Sequence, residues 1–458
     1  MIRLSPIRLC GLLISACAAA LSLGSCGAME SPLLLDPNRN LPSQTPMAAD
    51  SFVDSIGVNT HLTEDLTADR EYAVITQRMK QSGIRHIRDG IFPEESLRQY
   101  ADQRDFFKAT GARMDAIIDC PQPLGYYPGS YTPPIVVRTY DRKIGGAIDA
   151  LEGPNEPDLR HVGDWPTLTI ACMKKRHLTR ALPVPFIAPA MGDAVHGDPA
   201  KLGSIAALVD FGAIHRYFSP GWNPGWPGYG HDACGSIESL RWAICEAQVN
   251  SGPTLPIDVT ETGYTTSGEY GYNPFEVDEI TDGKYVSRVL LADSIAGIAR
   301  TYIYEFHDDG HDKIPWENGF GIVRYDGSPK PAFNAVRSEI HLLSDPGPAF
   351  SPARLRYSLK TGIETIEHEL FQKRDGTYAL AIWNETESWD PTTGREVTVP
   401  SSQVRVELEL SPVNVRFRAL DDDGKLYRRA ASVVGSTILV RVDDHVAFLS
   451  FRVKSLSR

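Results

Sequence analysis

The sequence predicts an α/β fold, a (β/α)8 TIM barrel followed by a C-terminal antiparallel β-sandwich. Between residues 51 and 345, eight short apolar stretches alternate with eight amphipathic stretches, a pattern typical of a barrel of parallel strands. After residue 345, short alternating runs are separated by turn residues, which is typical of antiparallel strands. The length of 458 residues accommodates a barrel of about 250 residues and a smaller companion.

The alternation places each element of the predicted barrel. Its strands are expected at residues 55–59, 84–88, 113–118, 148–152, 186–190, 209–215, 256–261 and 301–306. Its helices are expected at residues 69–82, 94–110, 135–146, 166–181, 199–207, 237–250, 278–298 and 330–344. Sandwich strands are expected at residues 378–383, 404–410, 413–420 and 437–442, with turns such as Asp423-Gly424. The predicted domains are therefore a barrel at 51–345 and a sandwich at 346–458.

The first 26 residues are predicted to be an export signal. Two arginines precede an apolar stretch at residues 9–23, which is too short for a membrane span. The letters LGSC ending at Cys26 resemble the bacterial lipobox, in which the cysteine is lipidated; ordinary cleavage nearby is the alternative. Residues 27–50 are rich in Pro, Ser and Asn and predict a tether or extended arm. The expected location is the bacterial cell envelope, or the periplasm or medium without the lipid.

Charge and cysteine usage limit the partners and the compartment. The net charge is −12 and the basic residues are scattered, which argues against a nucleic-acid partner held by phosphate contacts. Any membrane attachment is expected only through a lipid on Cys26. Four cysteines follow the signal, at positions 120, 172, 234 and 245, and allow three pairings in an oxidising compartment. The pair Cys234 and Cys245, close in sequence, is preferred, and the spacing does not fit a zinc site.

Two glutamates stand at the ends of predicted strands. Glu156 follows strand four in LEGPNEP, and Glu261 ends strand seven in IDVTETGY. The active sites of such barrels lie at the C-terminal ends of the strands, so the two carboxylates are expected to face each other. Two carboxylates in this arrangement suit retaining glycoside hydrolysis, in which one attacks the anomeric carbon and the other moves the proton. For Glu156 alone, a solvated residue in an Asn-Glu-Pro turn is the alternative.

These motifs resemble clan A of the glycoside hydrolases, the retaining barrel enzymes that include families 5, 30, 39 and 51. The resemblance covers residues 55–344 and extends loosely into the sandwich. The letters GVNTH ending at His61, together with the barrel-plus-sandwich layout, are most similar to family 39. The resemblance implies that Glu156 is the acid/base and Glu261 the nucleophile, with no metal and no cofactor.

The resemblance also implies a set of substrate-binding residues, namely Asn155, His215, Tyr217, Arg88 and His61. Asn155 is expected to bind the sugar 2-hydroxyl, an interaction that strengthens in the transition state. Tyr217 is expected to donate to Glu261, which favours the charged nucleophile. Two structural alternatives stay open: His215 as a buried, hydrogen-bonded histidine, and Arg88 as the neutralising partner of Asp89.

Aromatic residues are the expected sugar platforms. Strand eight reads Tyr304-Glu305-Phe306 where clan members often place a tryptophan, so Phe306 is expected to stack on the sugar, with Trp316 as the alternative. Trp222 and Trp226 lie in a Pro/Gly-rich loop after strand six, and exposed rings there suit stacking on sugars. Packing of that loop onto the barrel is the alternative. Tyr126 and Tyr127 are expected to form the opposite wall.

The loop at residues 307–312 reads HDDGHD and has the ligand types of a metal site without the spacing of a calcium loop. A solvated loop that contacts sugar hydroxyls is therefore preferred. The expected function is retaining hydrolysis of a polysaccharide, oligosaccharide or glycoconjugate. The alternatives are a non-catalytic carbohydrate-binding surface lipoprotein and a metal-dependent barrel hydrolase that uses His61, His215 and this loop.

Overall fold

The computed structural model describes residues 41–62, 69–93, 95–126, 128–268, 275–310 and 315–454. The predicted signal at residues 1–26, with its lipobox cysteine, lies outside this part of the chain. The described residues belong to one compact unit, Asn40–Arg458. Within them, every helix is too short or too polar to cross a membrane.

Eight parallel strands form the barrel. They are β1 (Ile56–Asn59), β2 (His86–Gly90), β3 (Arg113–Ile117), β4 (Ile148–Glu152), β5 (Phe186–Ile187), β6 (Gly212–His215), β7 (Ile257–Thr262) and β8 (Arg300–Ile303). Their order in the sheet is β5-β4-β3-β2-β1-β8-β7-β6. A parallel bridge between Ile187 and Phe211 joins the two ends of that order, so the sheet closes. The predicted barrel is confirmed.

A helix follows each strand. These are α1 (Asp69–Ser82), α2 (Leu97–Thr110), α3 (Pro134–Ile144), α4 (Trp165–Leu178), α5 (Asp198–Leu202), α6 (Leu240–Ser251), α7 (Glu279–Ala296) and α8 (Pro331–Leu343). Local sequence explains where α2 begins and ends. Ser96 and Gln99 form a capping box at its start, and Gly111 closes it with a φ of 71°. The helix predicted from residue 94 therefore begins at Leu97.

The C-terminal region is an antiparallel sandwich, as predicted. Its main strands are β9 (Leu355–Thr361), β10 (Ile366–Gln372), β11 (Tyr378–Asn384), β12 (Ser402–Leu408), β13 (Pro412–Leu420), β14 (Leu426–Arg429), β15 (Ser432–Val434), β16 (Thr437–Val442) and β17 (Ala447–Val453). The sheets are β9-β12-β16-β15 and β10-β11-β17-β13-β14. Short strands of the N-terminal arm, Ser43–Gln44 and Met47–Ala48, extend one sheet each by pairing with β9 and β10.

The shorter elements complete the chain. A helix at Ala49–Asp54 leads from the arm into β1. A hairpin of Tyr229–Asp232 and Gly235–Ile237 lies between β6 and α6, and a small ribbon pairs Trp389–Asp390 with Arg395–Glu396.

Two larger hydrophobic cores hold the unit together, and a smaller one lies around Ile214, Trp242 and Val259. One core fills the barrel and continues to Phe371, Trp383 and Phe448 of the larger sheet. The other lies between the two sheets and includes Tyr357 and Leu449. Burial of apolar area at about 25 cal/mol per Å² is the main stabilising term in both. The shared core fixes the sandwich against the barrel.

Two disulfides are present among the described cysteines. Cys234 pairs with Cys245, as predicted, with a Cα–Cα distance of 5.4 Å. Cys120 pairs with Cys172 at 6.0 Å. The second bond ties the segment after β3 to α4 and therefore restrains a loop at the C-terminal end of the barrel.

Candidate active site

A cavity of about 460 Å³ opens at the C-terminal ends of the barrel strands. Its walls come from β7 and from the segments that follow β1, β2, β3, β4 and β8. Glu156, Glu261, Asn155 and Arg88 all line it. The expectation that these four side chains would meet at one end of the barrel is therefore met by the geometry, although their roles stay predictions.

Glu156 is held by an unusual backbone turn. It caps the 3-10 helix Pro157–Arg160 with a φ of 45° and a ψ of 58°, the left-handed region, which costs a residue with a Cβ about 1 kcal/mol. Its N–H donates to the carbonyl of Ala190 at 3.2 Å. A Cβ on Gly192 would lie 3.0 Å from Glu156 Cδ, so the glycine leaves room for this carboxyl group.

The two carboxylates approach each other across the mouth. Glu156 and Glu261 each place an oxygen within 4.8 Å of the other and of a His215 ring nitrogen. The Glu156 side chain is 25% exposed and that of Glu261 is 10% exposed. Both carboxylates can therefore reach a ligand in the cavity, with Glu156 nearer to solvent.

Two donors contact Glu261. Arg88 donates from NH1 at 2.7 Å, and the Tyr217 hydroxyl donates at 2.8 Å. Burial disfavours charge on Arg88, but the carboxylates of Glu152 and Glu261 outweigh it and raise the Arg88 pKa further, so the guanidinium stays charged. Burial, followed by the charge of Glu261, raises the pKa of Tyr217, which keeps its hydroxyl protonated. Glu261 therefore accepts hydrogen bonds from one charged and one neutral donor.

Arg88 is itself held by a ring of acceptors. It donates from Nε to Glu152 Oε2 at 2.5 Å, from NH1 to Asn59 Oδ1 at 2.9 Å, and from NH2 to Asn155 Oδ1 at 2.7 Å. Because Asn155 accepts through Oδ1, its amide nitrogen is the group left to donate into the cavity. Glu152 and Asn59 were missed by the sequence reasoning; the signal was a charged or amide residue in an otherwise apolar strand.

His215 connects the two carboxylates. Its Nδ1 lies 2.8 Å from Glu156 Oε1 and 3.5 Å from Glu261 Oε2. Burial works against the charged ring, but the charge of Glu261 and the hydrogen bond to Glu156 outweigh it and raise the His215 pKa. For Glu156, burial favours the neutral acid, yet the hydrogen bond and charge of His215 lower the pKa overall. His215 is thus both buried and engaged with the predicted acid.

A second polar group lies beside this centre. His61 Nδ1 is 3.1 Å from Glu305 Oε2 and 3.1 Å from Asp309 Oδ1. These three side chains have ligand atoms within 4.8 Å of one another and could hold a metal ion by their chemistry. His215 belongs to a different group, so the described residues do not bring His61 and His215 to a single centre.

The described side chains of the polar loop at residues 307–312 differ in whether they reach the cavity. Asp309 reaches the cavity wall, whereas Asp308 pairs with Lys330 at 2.7 Å and His307 bonds the carbonyl of Tyr325 at 3.2 Å. Residues 311 and 312 lie outside the described part.

The prediction that Phe306 stacks on the sugar is wrong, because the structure places this ring elsewhere. Phe306 is 1% exposed and packs against Phe333 of α8 with ring centroids 6.4 Å apart. It is absent from the described lining of the cavity, and Tyr304 lines it instead. The physical reason is that β8 ends at Ile303, three residues before the predicted end, so the inward and outward alternation does not continue to Phe306.

The other predicted platforms also fall into two groups. Trp222 and Trp226 stack on each other, with centroids 4.4 Å apart and planes at 6°, and neither is among the described residues lining the cavity. Trp316 packs against Phe275 and Phe320. By contrast, Tyr126 lines the cavity and is 58% exposed, while Tyr127 lies outside the described residues.

Comparison with known proteins identifies the class of fold. No protein-family model and no curated protein matches the sequence. Several solved structures that match are glycoside hydrolases. One is a family 39 glycoside hydrolase from Bacteroides cellulosilyticus WH2, with a TM-score of 0.60 and 17% identity over 90% of this chain and 83% of that one.

Two further structures have the same architecture. A monomeric beta-xylosidase from Caulobacter crescentus CB15 has a TM-score of 0.56 and 14% identity over 90% of this chain and 98% of that one. The catalytic domain of GH30 xylanase C from Talaromyces cellulolyticus has a TM-score of 0.51 and 12% identity over 90% and 98%. At these identities the likeness shows a shared fold. The resemblance to clan A is confirmed at that level.

Proposed function

We propose that this chain hydrolyses O-glycosidic bonds with retention of configuration, acting on a polysaccharide, oligosaccharide or glycoconjugate. The observation that carries the proposal is the pair Glu156 and Glu261, whose oxygens lie within 4.8 Å of each other in the main cavity. Retaining enzymes hold their carboxyl groups about 5 to 5.5 Å apart, whereas inverting enzymes need about 6.5 to 9.5 Å to fit a water. The short separation therefore favours retention.

Glu261 is the proposed nucleophile because its partners stabilise a carboxylate. Arg88 and Tyr217 each donate to one of its oxygens, and the guanidinium balances its charge in a buried site. In the first step, a Glu261 oxygen bonds to the anomeric carbon as the glycosidic C–O bond breaks. The bonding electrons leave with the glycosidic oxygen, and a glycosyl ester of Glu261 remains.

Glu156 is the proposed acid/base because it is the more exposed carboxyl group and bonds the titratable ring of His215. It donates its proton to the departing oxygen in the first step. In the second step it takes a proton from water, the hydroxide oxygen bonds to the anomeric carbon, and the ester bond to Glu261 breaks. His215 Nδ1 lies 2.8 Å from Glu156 Oε1 and holds this carboxyl group in place.

The remaining cavity residues are proposed to bind the sugar. Asn155 offers its amide nitrogen to the 2-hydroxyl, since its oxygen is occupied by Arg88. His61, with Asp309 and Tyr304 on the same side of the cavity, offers polar and aromatic contacts to the other hydroxyls. Two of the structural neighbours are a beta-xylosidase and a xylanase, so xylosides are the first substrates to test.

The first test is a panel of nitrophenyl glycosides, led by the β-xyloside and β-glucoside, followed by proton NMR of the first sugar anomer released. We expect the anomer of the substrate to appear first and the other to follow by mutarotation. Release of the opposite anomer would rule out retention. Hydrolysis of none of the glycosides, or of plant and bacterial polysaccharides, would instead favour the carbohydrate-binding alternative.

Azide rescue distinguishes the two carboxylates. In Glu261→Ala, azide is expected to restore turnover and give a glycosyl azide of inverted configuration, because it attacks in place of the missing nucleophile. In Glu156→Ala, azide is expected to attack the glycosyl ester and give the retained azide with a good leaving group. The exposed variant Glu364→Ala serves as the control. Exchanged product configurations would reverse the two roles.

We also propose that the protein is exported and that Cys26 carries its lipid. The two disulfides support an oxidising compartment. Expression in a bacterial host with radiolabelled palmitate is expected to label the native protein in the membrane fraction and to leave Cys26→Ser unlabelled and soluble in the periplasm. Equal labelling of the two proteins would remove the lipobox assignment.

A further inference from the structure

Two arginines line the main cavity, and they differ in their partners. Arg88 is 2% exposed and donates to Glu152, Glu261 and two asparagines. Arg160, at the end of the 3-10 turn that follows Glu156, is partly exposed. Among the described residues, its contacts are a hydrogen bond from NH2 to the carbonyl of Asn155 at 2.9 Å and the ring of Tyr126 at 4.3 Å. Arg160 therefore has donors left for a ligand.

The carboxylates near this end of the cavity are already occupied. Asp119, which also lines the cavity, accepts hydrogen bonds from Ser130 and from the backbone N–H groups of Cys120 and Tyr126. Within the described part of the chain, no carboxylate lies within ion-pair distance of Arg160. An unpaired guanidinium in a cavity of a protein with a net charge of −12 is a site where an anionic group can bind.

The barrel topology shows where Arg160 lies relative to the acidic residues that follow β8. Arg160 follows β4, whereas Asp309 and Glu317 follow β8. In the sheet order β4 and β8 are four strands apart, so in a closed barrel of eight strands these loops stand on opposite sides of the mouth. The two sides of the mouth therefore carry different groups: Arg160 stands with Asp119 and Glu156 on the side of the loops after β3 and β4, and Asp309 and Glu317 stand on the side of the loop after β8.

Glu156 lies immediately before the turn that carries Arg160, on the same side of the mouth. A group that protonates the glycosidic oxygen faces the bond between the glycone and the leaving group. Side chains beyond it, on the side away from Glu261, are placed to contact the leaving group. Tyr126 and Arg160 meet this condition, because both line the cavity with Glu156 and Tyr126 follows β3, which is four strands from β7 in the sheet order and therefore opposite Glu261.

We propose that Arg160, backed by Tyr126, forms a leaving-group subsite for a carboxylate, so that the natural substrate carries a uronic acid or another carboxylic acid on the leaving-group side of the cleaved bond. A planar carboxylate matches the paired donors of a guanidinium better than a hydroxyl does. The inference rests on the proposed function, because the leaving-group side is defined by the acid role of Glu156.

The test uses matched aryl glycosides of one glycone, taken from those hydrolysed in the panel. The leaving groups are 4-carboxyphenol and its methyl ester, and the measured quantity is the ratio of their kcat/KM values. An effect common to both substrates, including any disturbance of the turn, cancels in this ratio. The variants are Arg160→Gln and Arg160→Lys, with the exposed Arg241→Gln as the control that removes the same charge elsewhere.

We expect Arg160→Gln to lower the carboxylate-to-ester ratio about 5- to 10-fold, as for loss of a partly exposed charge-assisted hydrogen bond. Arg160→Lys should lower it less, and Arg241→Gln should leave it at the wild-type value. The wild-type ratio should also fall as NaCl rises from 50 to 500 mM, because salt screens an exposed ion pair.

The subsite proposal would be overturned by an unchanged ratio in Arg160→Gln, or by a wild-type ratio that does not change with salt. Either result would leave the glycosidase proposal intact. The salt measurement does not depend on the folding of a variant. If the wild-type protein hydrolyses no glycoside at all, the proposed function fails and the subsite fails with it, so the two failures are distinguishable.

Discussion

Two clusters in the protein each bring cations and carboxylates together. One lies at the mouth of the barrel and the other where the barrel meets the sandwich. At the mouth, Arg88 and His215 meet Glu152, Glu156 and Glu261. At the interface, Lys284 and Arg288 of α7 meet Asp444 in the turn before β17, with Lys284 Nζ 3.0 Å from the carboxylate and Arg288 Nε 2.9 Å from the carbonyl of that residue. Apart from Glu156, whose side chain is 25% exposed, these charged side chains are at most 10% exposed.

The two clusters contain similar charged groups and differ in whether their carboxylates reach a cavity. Asp444 also accepts from Ser388 at 2.8 Å, and Arg288 donates to the carbonyl of Thr386 at 2.8 Å, so the interface groups are satisfied within the protein. At the mouth, Glu156 and Glu261 keep oxygens on a cavity of about 460 Å³. Similar ion pairs thus join the barrel to the sandwich in one place and leave two carboxylates open to a cavity in the other.

Glu261→Gln is the most direct way to break this comparison. It replaces the proposed nucleophile by an amide of the same shape, so we expect kcat to fall on the order of 10⁴-fold or more. Arg88 retains Glu152 as a partner, so the melting temperature should change by only a few degrees. Steady-state kinetics and thermal unfolding measure the two effects. A loss of stability with kcat retained would place Glu261 among structural groups.

Asp444→Asn tests the other cluster. It leaves two buried cations with one fewer carboxylate, and breaking such a pair costs about 3 to 5 kcal/mol. The kcat of the folded protein should stay within about twofold, since the cluster does not reach the cavity. Asp423→Asn, in an exposed pair with Lys425, is the matched control and should cost about 0.5 kcal/mol or less. Equal costs in urea unfolding would contradict the assignment.

Glu339 sharpens the comparison because it is a fully buried carboxyl group whose described hydrogen bond comes from Ser287, not from a cation. Burial raises its pKa to about 8, above the unfolded value of about 4.3. Its contribution to stability is therefore fully present below about pH 4 and is lost as the pH rises through 8.

Glu339→Gln cannot ionise, so it should lose about 3.5 kcal/mol less stability than the wild type between pH 5 and pH 8. Urea unfolding at a series of pH values measures this difference. Parallel stability curves for the two proteins would show that Glu339 titrates no differently in the folded and unfolded states.

His215→Gln gives the smallest expected effect. It keeps an N–H group near Glu156 but removes the charge that lowers the pKa of that acid. The Glu156 pKa should rise, the acid should stay protonated to higher pH, and the alkaline limb of kcat/KM should move to higher pH. His196→Gln, at an exposed histidine, should leave the profile unchanged. A limb that does not move would assign it to another group.

The positions of Glu156 and Glu261 were predictable because each follows an apolar strand in a regular alternation, and parallel strands end at one side of a barrel. Phe306 was misplaced because the end of β8 depends on packing: the chain leaves the strand at Ile303 and buries Phe306 against Phe333. Element ends are set by such contacts, which local patterns do not contain.

Arg160 shows a different limit of sequence reasoning. It lies four residues after Glu156, but nothing local indicates whether a carboxylate pairs with it. Its position in the cavity, on the side of the loops after β3 and β4, follows from its packing against Tyr126, which comes from the loop after β3.

The sequence by itself determined the order of strands and helices, and with it the side of the barrel on which the two carboxylates lie. Only the tertiary structure decided which cation meets which carboxylate. Arg88 and Glu261 are 173 residues apart in sequence, and their side chains meet at 2.7 Å. Closure of the barrel sets that distance, because it brings β2 and β7, three strands apart in the sheet order, to one narrow mouth.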